Sequence, residues 1–215
     1  MQYNPQKHHR RSIRLKGYDY SQPGLYFITL CINHRICLFG EIKDGKMELN
    51  DAGRMVEKWY RELENKYNDI ECGEFVVMPN HFHCIIEKMP NDDETIDPSG
   101  EQGDSVVGEQ GEHTGSPLHG HPTSNNNPNH SQYGPGNKKY GVPIGVAIDW
   151  FKTMTTNEYI RGVKNNGWPR FDRKLWQRNY WEHIIRNDHS YQRISEYINN
   201  NPGNWNTDSL NDQFP

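Results

Sequence analysis

Met78-Pro79-Asn80-His81-Phe82-His83-Cys84-Ile85-Ile86 is the stretch on which the reading of this chain turns. An apolar run behind a Pro-Asn turn predicts a strand from His81 to Lys88. Side chains alternate across a strand, so His81 and His83 share one face, about 7 Å apart along it, while Phe82 points to the other. Two neighbouring imidazoles can bind one metal ion. The bare His-x-His pattern also arises often without a metal, and the apolar strand around it settles the face but names no ligand.

Working outward, Ile70–Met78 reads as the strand that precedes this one, joined to it at Pro79-Asn80. Leu25–Asn33 (LYFITLCIN) is a β-rich apolar run and predicts a buried strand. Ile36–Ile42 and Lys46–Leu49 read as a following strand and hairpin, with Asp44-Gly45 as the turn. Asn50 or Asp51 caps a helix to about Lys66, with Met55, Val56, Trp59, Tyr60 and Leu63 at helical spacing. Pro143–Ile160 reads as a second helix, Leu175–Arg186 as a strand of mixed character. A last helix opens at Asp188 or Ser190, runs to about Asn200 and is ended by Pro202-Gly203. Helices flanking antiparallel strands predict an α+β layer sandwich.

Mean hydropathy is −1.04, low for a packed globule. The polar residues are concentrated between Met89 and Asn137, where there are eight acids, no Lys or Arg, and mostly Gly, Ser, Asn, Pro, His and Thr otherwise. Such a segment cannot bury enough apolar surface to offset its ordering entropy. The expected organisation is therefore a basic lead-in over 1–22, one domain built from 23–88 and 138–205, an acidic flexible insert over 89–137, and a loose polar tail over 206–215. The whole chain carries 24 basic and 28 acidic residues, net −4; without the eight acids of the insert the balance is 24 against 20, net +4. A mildly basic domain is compatible with nucleic acid without demanding it. No apolar run approaches the roughly 18 residues of a membrane span, and the polar, basic first 20 residues do not resemble a signal peptide. A reduced cytoplasmic setting is expected for Cys31, Cys37, Cys72 and Cys84, none of which forms a CxxC pair. Cys31, His34 and Cys37 could form half a zinc site, but no second ligand pair lies at finger spacing.

The last helix contains Ile194-Ser195-Glu196-Tyr197-Ile198-Asn199-Asn200-Asn201-Pro202. Tyr197 and Asn201 are four apart and share a helical face; Ile194 and Ile198 form a neighbouring stripe that can pack on the sheet. A phenol beside an amide oxygen can serve as nucleophile and metal ligand. From spacing alone the plainer reading is favoured, with Tyr197 a half-buried packing residue and Asn201 a C-cap.

Taken together, these blocks resemble a known family. MPNHFH and its apolar strand, Phe151-Lys152, Leu175-Trp176-Gln177-Arg178, Tyr180-Trp181-Glu182-His183-Ile184-Ile185-Arg186 and Glu196-Tyr197-Ile198-Asn199-Asn200-Asn201-Pro202 occur in the order found in the REP-associated tyrosine transposases, a branch of the HUH single-strand transposases. The resemblance spans about Gly24 to Trp205 and excludes the insert. It implies a ferredoxin-like HUH endonuclease/transposase fold with an antiparallel sheet and flanking helices. It implies that His81 and His83 are the metal-binding pair, that Asn201 is the third ligand and that Tyr197 is the nucleophile. Asn followed by Pro, where many relatives have Gln, resembles the REP-associated branch.

The implied activity is metal-assisted cleavage and rejoining of single-stranded DNA at hairpin, REP-like sequences through a 5′-phosphotyrosine. A mixed nitrogen and oxygen ligand set suits Mg²⁺ or Mn²⁺ beside phosphate. Single-stranded or hairpin DNA is the expected partner, and both monomer and homodimer stay open. Candidate DNA contacts are Arg10, Arg11, Arg14, Lys152, Arg173, Lys174, Arg178 and Arg186, with Trp176, Tyr180 and Trp181 able to stack unpaired bases. His183 lies close to this group and could position DNA, protonate a leaving group or simply make a structural hydrogen bond. The alternative is a non-catalytic DNA- or RNA-hairpin-binding protein of the same fold.

Overall fold

Aromatic and β-branched residues dominate Gly24–Cys31 (β1) and His81–Lys88 (β5), and these strands form the middle of a four-stranded sheet. A computed structural model describes residues 17–90 and 141–211. Between β1 and β5 come the hairpin of β2 (Gly40–Lys43) and β3 (Lys46–Leu49), helix α1 (Asp51–Lys66) and strand β4 (Ile70–Val77). Helix α2 (Ile144–Asn165), strand β6 (Trp181–Ile185) and helix α3 (Asp188–Asn200) follow. Short 3-10 turns lie at Asn33–Arg35 and Pro202–Thr207.

The sheet order is β4-β5-β1-β6, and each neighbouring pair is antiparallel. With the β2–β3 hairpin set aside, the chain runs β-α-β-β-α-β. In space the second strand lies at one edge, then the third, the first and the fourth. That is the ferredoxin-like arrangement, as expected. Asp44 and Gly45 both have positive φ, 50° and 72°, as the tight β2–β3 turn requires.

The two sheet faces carry different layers. Tyr26, Ile28 and Leu30 of β1 and Phe82, Cys84 and Ile86 of β5 pack under α1 and α2 in the main core. The alternate residues face α3, where Ile85, Ile185, Ile194 and Ile198 form a second, smaller cluster bordered by Leu25, Phe27 and Val76. Asn50 caps α1 by accepting from the Gly53 amide at 2.9 Å, and Asn187 caps α3 by accepting from the Ser190 amide at 2.8 Å. α3 opens at Asp188, as expected, with Asn187 as its cap.

Four expectations change. β6 begins at Trp181 rather than Leu175, because 175–180 forms a loop whose Leu175 and Trp176 fill the core beside the end of β1. Residues 36–39 are not strand, because the Leu38 and Phe39 amides both donate to the Pro79 carbonyl, at 2.9 and 3.1 Å. α2 continues past Ile160 to Asn165. The segment after Trp205 is not loose as far as Asn211: the Asn80 amide donates to Leu210 O at 2.8 Å, Arg35 to Ser209 O at 3.0 Å, and Asn211 to Trp205 O at 3.0 Å. The acidic insert lies outside the described residues apart from Met89 and Pro90. Among the described residues no helix is long and apolar enough to cross a membrane.

Ile198 is fully buried in the small cluster that seats α3. Ile198→Ala should lower the unfolding free energy by about 2–5 kcal/mol, the range for emptying a buried aliphatic site. Urea denaturation followed by circular dichroism measures it.

Candidate functional site

β1 and β5 pair with Cys31 opposite His81 and Thr29 opposite His83. This register sets both imidazoles on the face that α3 covers. Their ring centroids are 4.6 Å apart, and both side chains are almost wholly buried. α3 crosses this face with Tyr197 and Asn201 turned inward. The Tyr197 hydroxyl is 3.3 Å from His83 Nε2, and its ring lies edge-on to Phe27, which stacks on His83. The structure thus brings His81, His83, Tyr197 and Asn201 together.

Hydrogen bonds determine how each imidazole is presented. The Asn80 amide nitrogen donates to Arg35 O at 3.1 Å and to Leu210 O at 2.8 Å, so its oxygen must face His81. That oxygen, 2.7 Å from His81 Nδ1, only accepts, so Nδ1 carries the proton and Nε2 presents its lone pair. His83 Nδ1 sits 2.7 Å from the Thr29 hydroxyl, which leaves Nε2 facing Tyr197. Holding one ring nitrogen in this way orients the other as a ligand.

A residue read as part of the loose tail completes the cluster. The Asp208 carboxylate is buried, with one oxygen 3.7 Å from His81 Nε2. The ligand atoms of His81, His83 and Asp208 all lie within 4.8 Å of one another. His81 Nε2, Asp208 Oδ2 and Asn201 Oδ1 are buried and make no hydrogen bond. Buried polar atoms without partners are rare and costly. With His83 beside them they offer two nitrogens and two oxygens, a set that a small divalent cation would satisfy. Among the described residues, Cys31, His34 and Cys37 do not converge in this way.

The electrostatics agree with this geometry. Burial pushes His81 down to about 4, against the opposing pull of the Asp208 charge. Burial, reinforced by the neighbouring His81, holds His83 well below its ordinary value. Both rings are therefore neutral near pH 7 and able to act as ligands. Burial, with the Asp208 charge, raises Tyr197 above the usual phenol value, and a hydrogen bond with Asn201 opposes the rise.

The expected DNA contacts divide. Trp176 and Tyr180 are core residues, which corrects their reading as stacking platforms: the Trp176 indole donates to Thr155 at 2.8 Å and packs on Phe39 and Phe151. Lys152 is used structurally, donating to Gln177 O at 2.8 Å and Arg178 O at 3.1 Å. Arg173, Lys174 and Arg178 are exposed beside it, on a groove of about 460 Å³ between α2 and the loop that leads into β6. His183 and Arg186 are exposed on or next to β6. Arg10, Arg11 and Arg14 lie outside the described residues.

Sequence reasoning missed Asn80, Thr29 and Asp208. By sequence Asn80 reads only as part of a turn. Thr29 is recognisable only once the strand register is known. Asp208 had one available signal, the apolar Trp205 three residues earlier, which is buried 6.0 Å from the His81 ring and anchors the segment.

No protein-family model matches the chain. Among solved structures it is similar to a REP-associated tyrosine transposase bound to a REP hairpin, with a TM-score of 0.46 and 17% identity over 88% of this chain and 72% of the other. It is also similar to a candidate transposase of Deinococcus radiodurans, with a TM-score of 0.42 and 13% identity over 87% of this chain and 95% of the other. A protein of Haemophilus influenzae, itself uncharacterised, is 36% identical over 211 residues, covering 97% of this chain and 96% of its own length. At that identity and coverage, the chain belongs to the same family as the Haemophilus influenzae protein.

Proposed function

We propose that this chain is a metal-assisted transposase-type nuclease that cuts and rejoins single-stranded DNA beside hairpins, with Tyr197 as the nucleophile. The observation that carries the reading is the convergence of unpartnered buried ligand atoms beside a half-exposed phenol. His81 Nε2, Asp208 Oδ2 and Asn201 Oδ1 meet next to His83, and the Tyr197 hydroxyl stands 3.3 Å from His83 Nε2. A structural metal site would have no need of an accessible phenol at its rim, and a packing tyrosine would have no need of three orphaned ligands beneath it.

His81, His83 and Asp208 would hold the ion, with Asn201 beside them; Mg²⁺ or Mn²⁺ fits the mixed set. When bound, the ion would polarise the phosphate and offset the charge that builds up during displacement. The chain's own residues do the rest. Thr29 and Asn80 fix the two rings. α3 aims the phenol across the histidine face, and Phe27 supports both His83 and Tyr197. The phenolic oxygen attacks phosphorus, the bond to the 3′ oxygen breaks, and that oxygen takes up a proton equivalent to the one the phenol gives up. The products are a 5′-phosphotyrosine and a free 3′-hydroxyl. The covalent link conserves the bond energy, so a 3′-hydroxyl can reverse the step on another end without ATP.

Tyr197→Phe should abolish a covalent protein–DNA band formed from labelled hairpin DNA and Mn²⁺, while leaving DNA binding within about two-fold. Loss of binding as well, or survival of the band, would remove Tyr197 from this role. Calorimetric titration of the protein with Mn²⁺ tests the ligands separately. Asp208→Ala and His81→Ala should abolish stoichiometric binding. Asn80→Ala, which frees His81 Nδ1 and leaves all four candidate ligands in place, should weaken it by about 10- to 100-fold.

A further inference from the structure

β6 is an edge strand, and its residues alternate sharply. Ile184 packs toward the main core, while Ile185 lies in the α3 cluster. Trp181 and His183 are on the same face as Ile185, which is the face of His81 and His83. The register gives a row across the sheet at this level: Val76 of β4, His83 of β5, Thr29 of β1 and Trp181 of β6. In the next row Phe27 stands opposite His183. Trp181 therefore stands two strands from His83, about 10 Å away at the spacing of neighbouring strands. Thr29, the residue between them, bonds the His83 ring.

Trp181 is 61% exposed, whereas Trp59, Trp150, Trp176 and Trp205 are buried. Its indole therefore presents a large aromatic surface to solvent on the face of the two histidines. Its surroundings are aromatic and basic. Tyr197, 45% exposed, and Phe27 continue the face toward the histidines, His183 stands two residues along the same strand, and Arg178 and Arg186 are exposed at its two ends. Aromatic faces alternating with cations along a track are how single-stranded nucleic acid is held without sequence readout, because every base has a face to stack.

We infer that Trp181 is the stacking platform for one unpaired base of the single strand whose phosphate lies at Tyr197, so that edge strand β6 positions the substrate for cleavage. This rests on the proposed DNA-cutting function and adds a specific contact to it. Of the three aromatics expected to stack bases, Trp181 is the one in solvent, while Trp176 and Tyr180 are buried. The base is recognised by its face rather than its edge, so any nucleotide is accepted at this position and an abasic site is not. Trp181 is a positioning residue: it does not touch the reacting atoms.

The test is binding in EDTA, where no cleavage occurs, of hairpin DNA whose single-stranded tail carries 2-aminopurine at successive positions. One position should be quenched by the wild-type protein. Trp181→Ala should abolish that quenching and weaken binding by about 5- to 100-fold, the range for one base stacked on one aromatic ring. Trp181→Phe should retain most of both. An abasic site at the quenched position should weaken wild-type binding to a similar degree and leave Trp181→Ala unaffected. The inference is overturned if Trp181→Ala binds and quenches like wild type, or if no single strand binds at all. It is also overturned if Trp181→Ala changes only the sedimentation of a dimer, which would make the exposed edge a contact between copies. Quenching lost in Trp181→Ala, in a protein that forms no Tyr197 adduct, would support stacking and count against the cleavage reading. An adduct formed equally well by Trp181→Ala would do the reverse.

Discussion

β1 and β5 pair along their whole length with Thr29 opposite His83 and Cys31 opposite His81. The rest of the site depends on that register. A slip of one residue would send every side chain of β5 to the other face, burying both imidazoles under α1 and α2 and exposing Phe82 to α3. The hydrophobic pattern prevents the slip, because Phe82, Cys84 and Ile86 meet the main core while Ile85 alone of that set meets α3. The apolar residues between and after the histidines are therefore what aims the histidines. Thr29 adds a polar link across the same pair by bonding His83 Nδ1.

The second constraint is desolvation. Two imidazoles, a carboxylate and an amide are enclosed by the sheet, α3 and the segment that follows it, and three of their polar atoms have no hydrogen-bond partner. Each such atom costs about 1–3 kcal/mol relative to a satisfied one. A fold that keeps this cost has a use for the unsatisfied atoms. Functional sites are where proteins retain unfavourable groups and offset them elsewhere. Here the offset comes from the aliphatic cluster beneath α3 and from Trp205, which pins the chain so that Asp208 reaches His81.

At the opposite end of β5 the described flanks of the acidic segment come together. Lys88 pairs with buried Asp69, and the same carboxylate oxygen accepts from the Gly141 amide at 3.0 Å. Both roots of the segment are therefore held at one buried group. Seven residue steps along β5 separate Lys88 from His81, about 23 Å at the strand rise. The described flanks of the segment therefore lie far from the histidines.

Local pattern was enough to read the strand containing His81 and His83, their common face, the helix carrying Tyr197 four residues before Asn201, and the α+β class. Alternation and helical spacing are properties of neighbouring residues and need no tertiary information. The roles proposed for Tyr197 and Asn201 did not come from spacing, which favoured packing and capping; they came from resemblance. What lay beyond the sequence depended on residues distant along it. Thr29 reaches His83 across 54 positions, and Asp208 reaches His81 from a polar segment whose composition reads as loose. Trp176, Tyr180 and Trp181 are all aromatic candidates for stacking by residue type, yet two are buried and one stands in solvent. A side chain's burial depends on what the rest of the chain packs against it, so only the tertiary structure decided which aromatic faces the site and which carboxylate completes it.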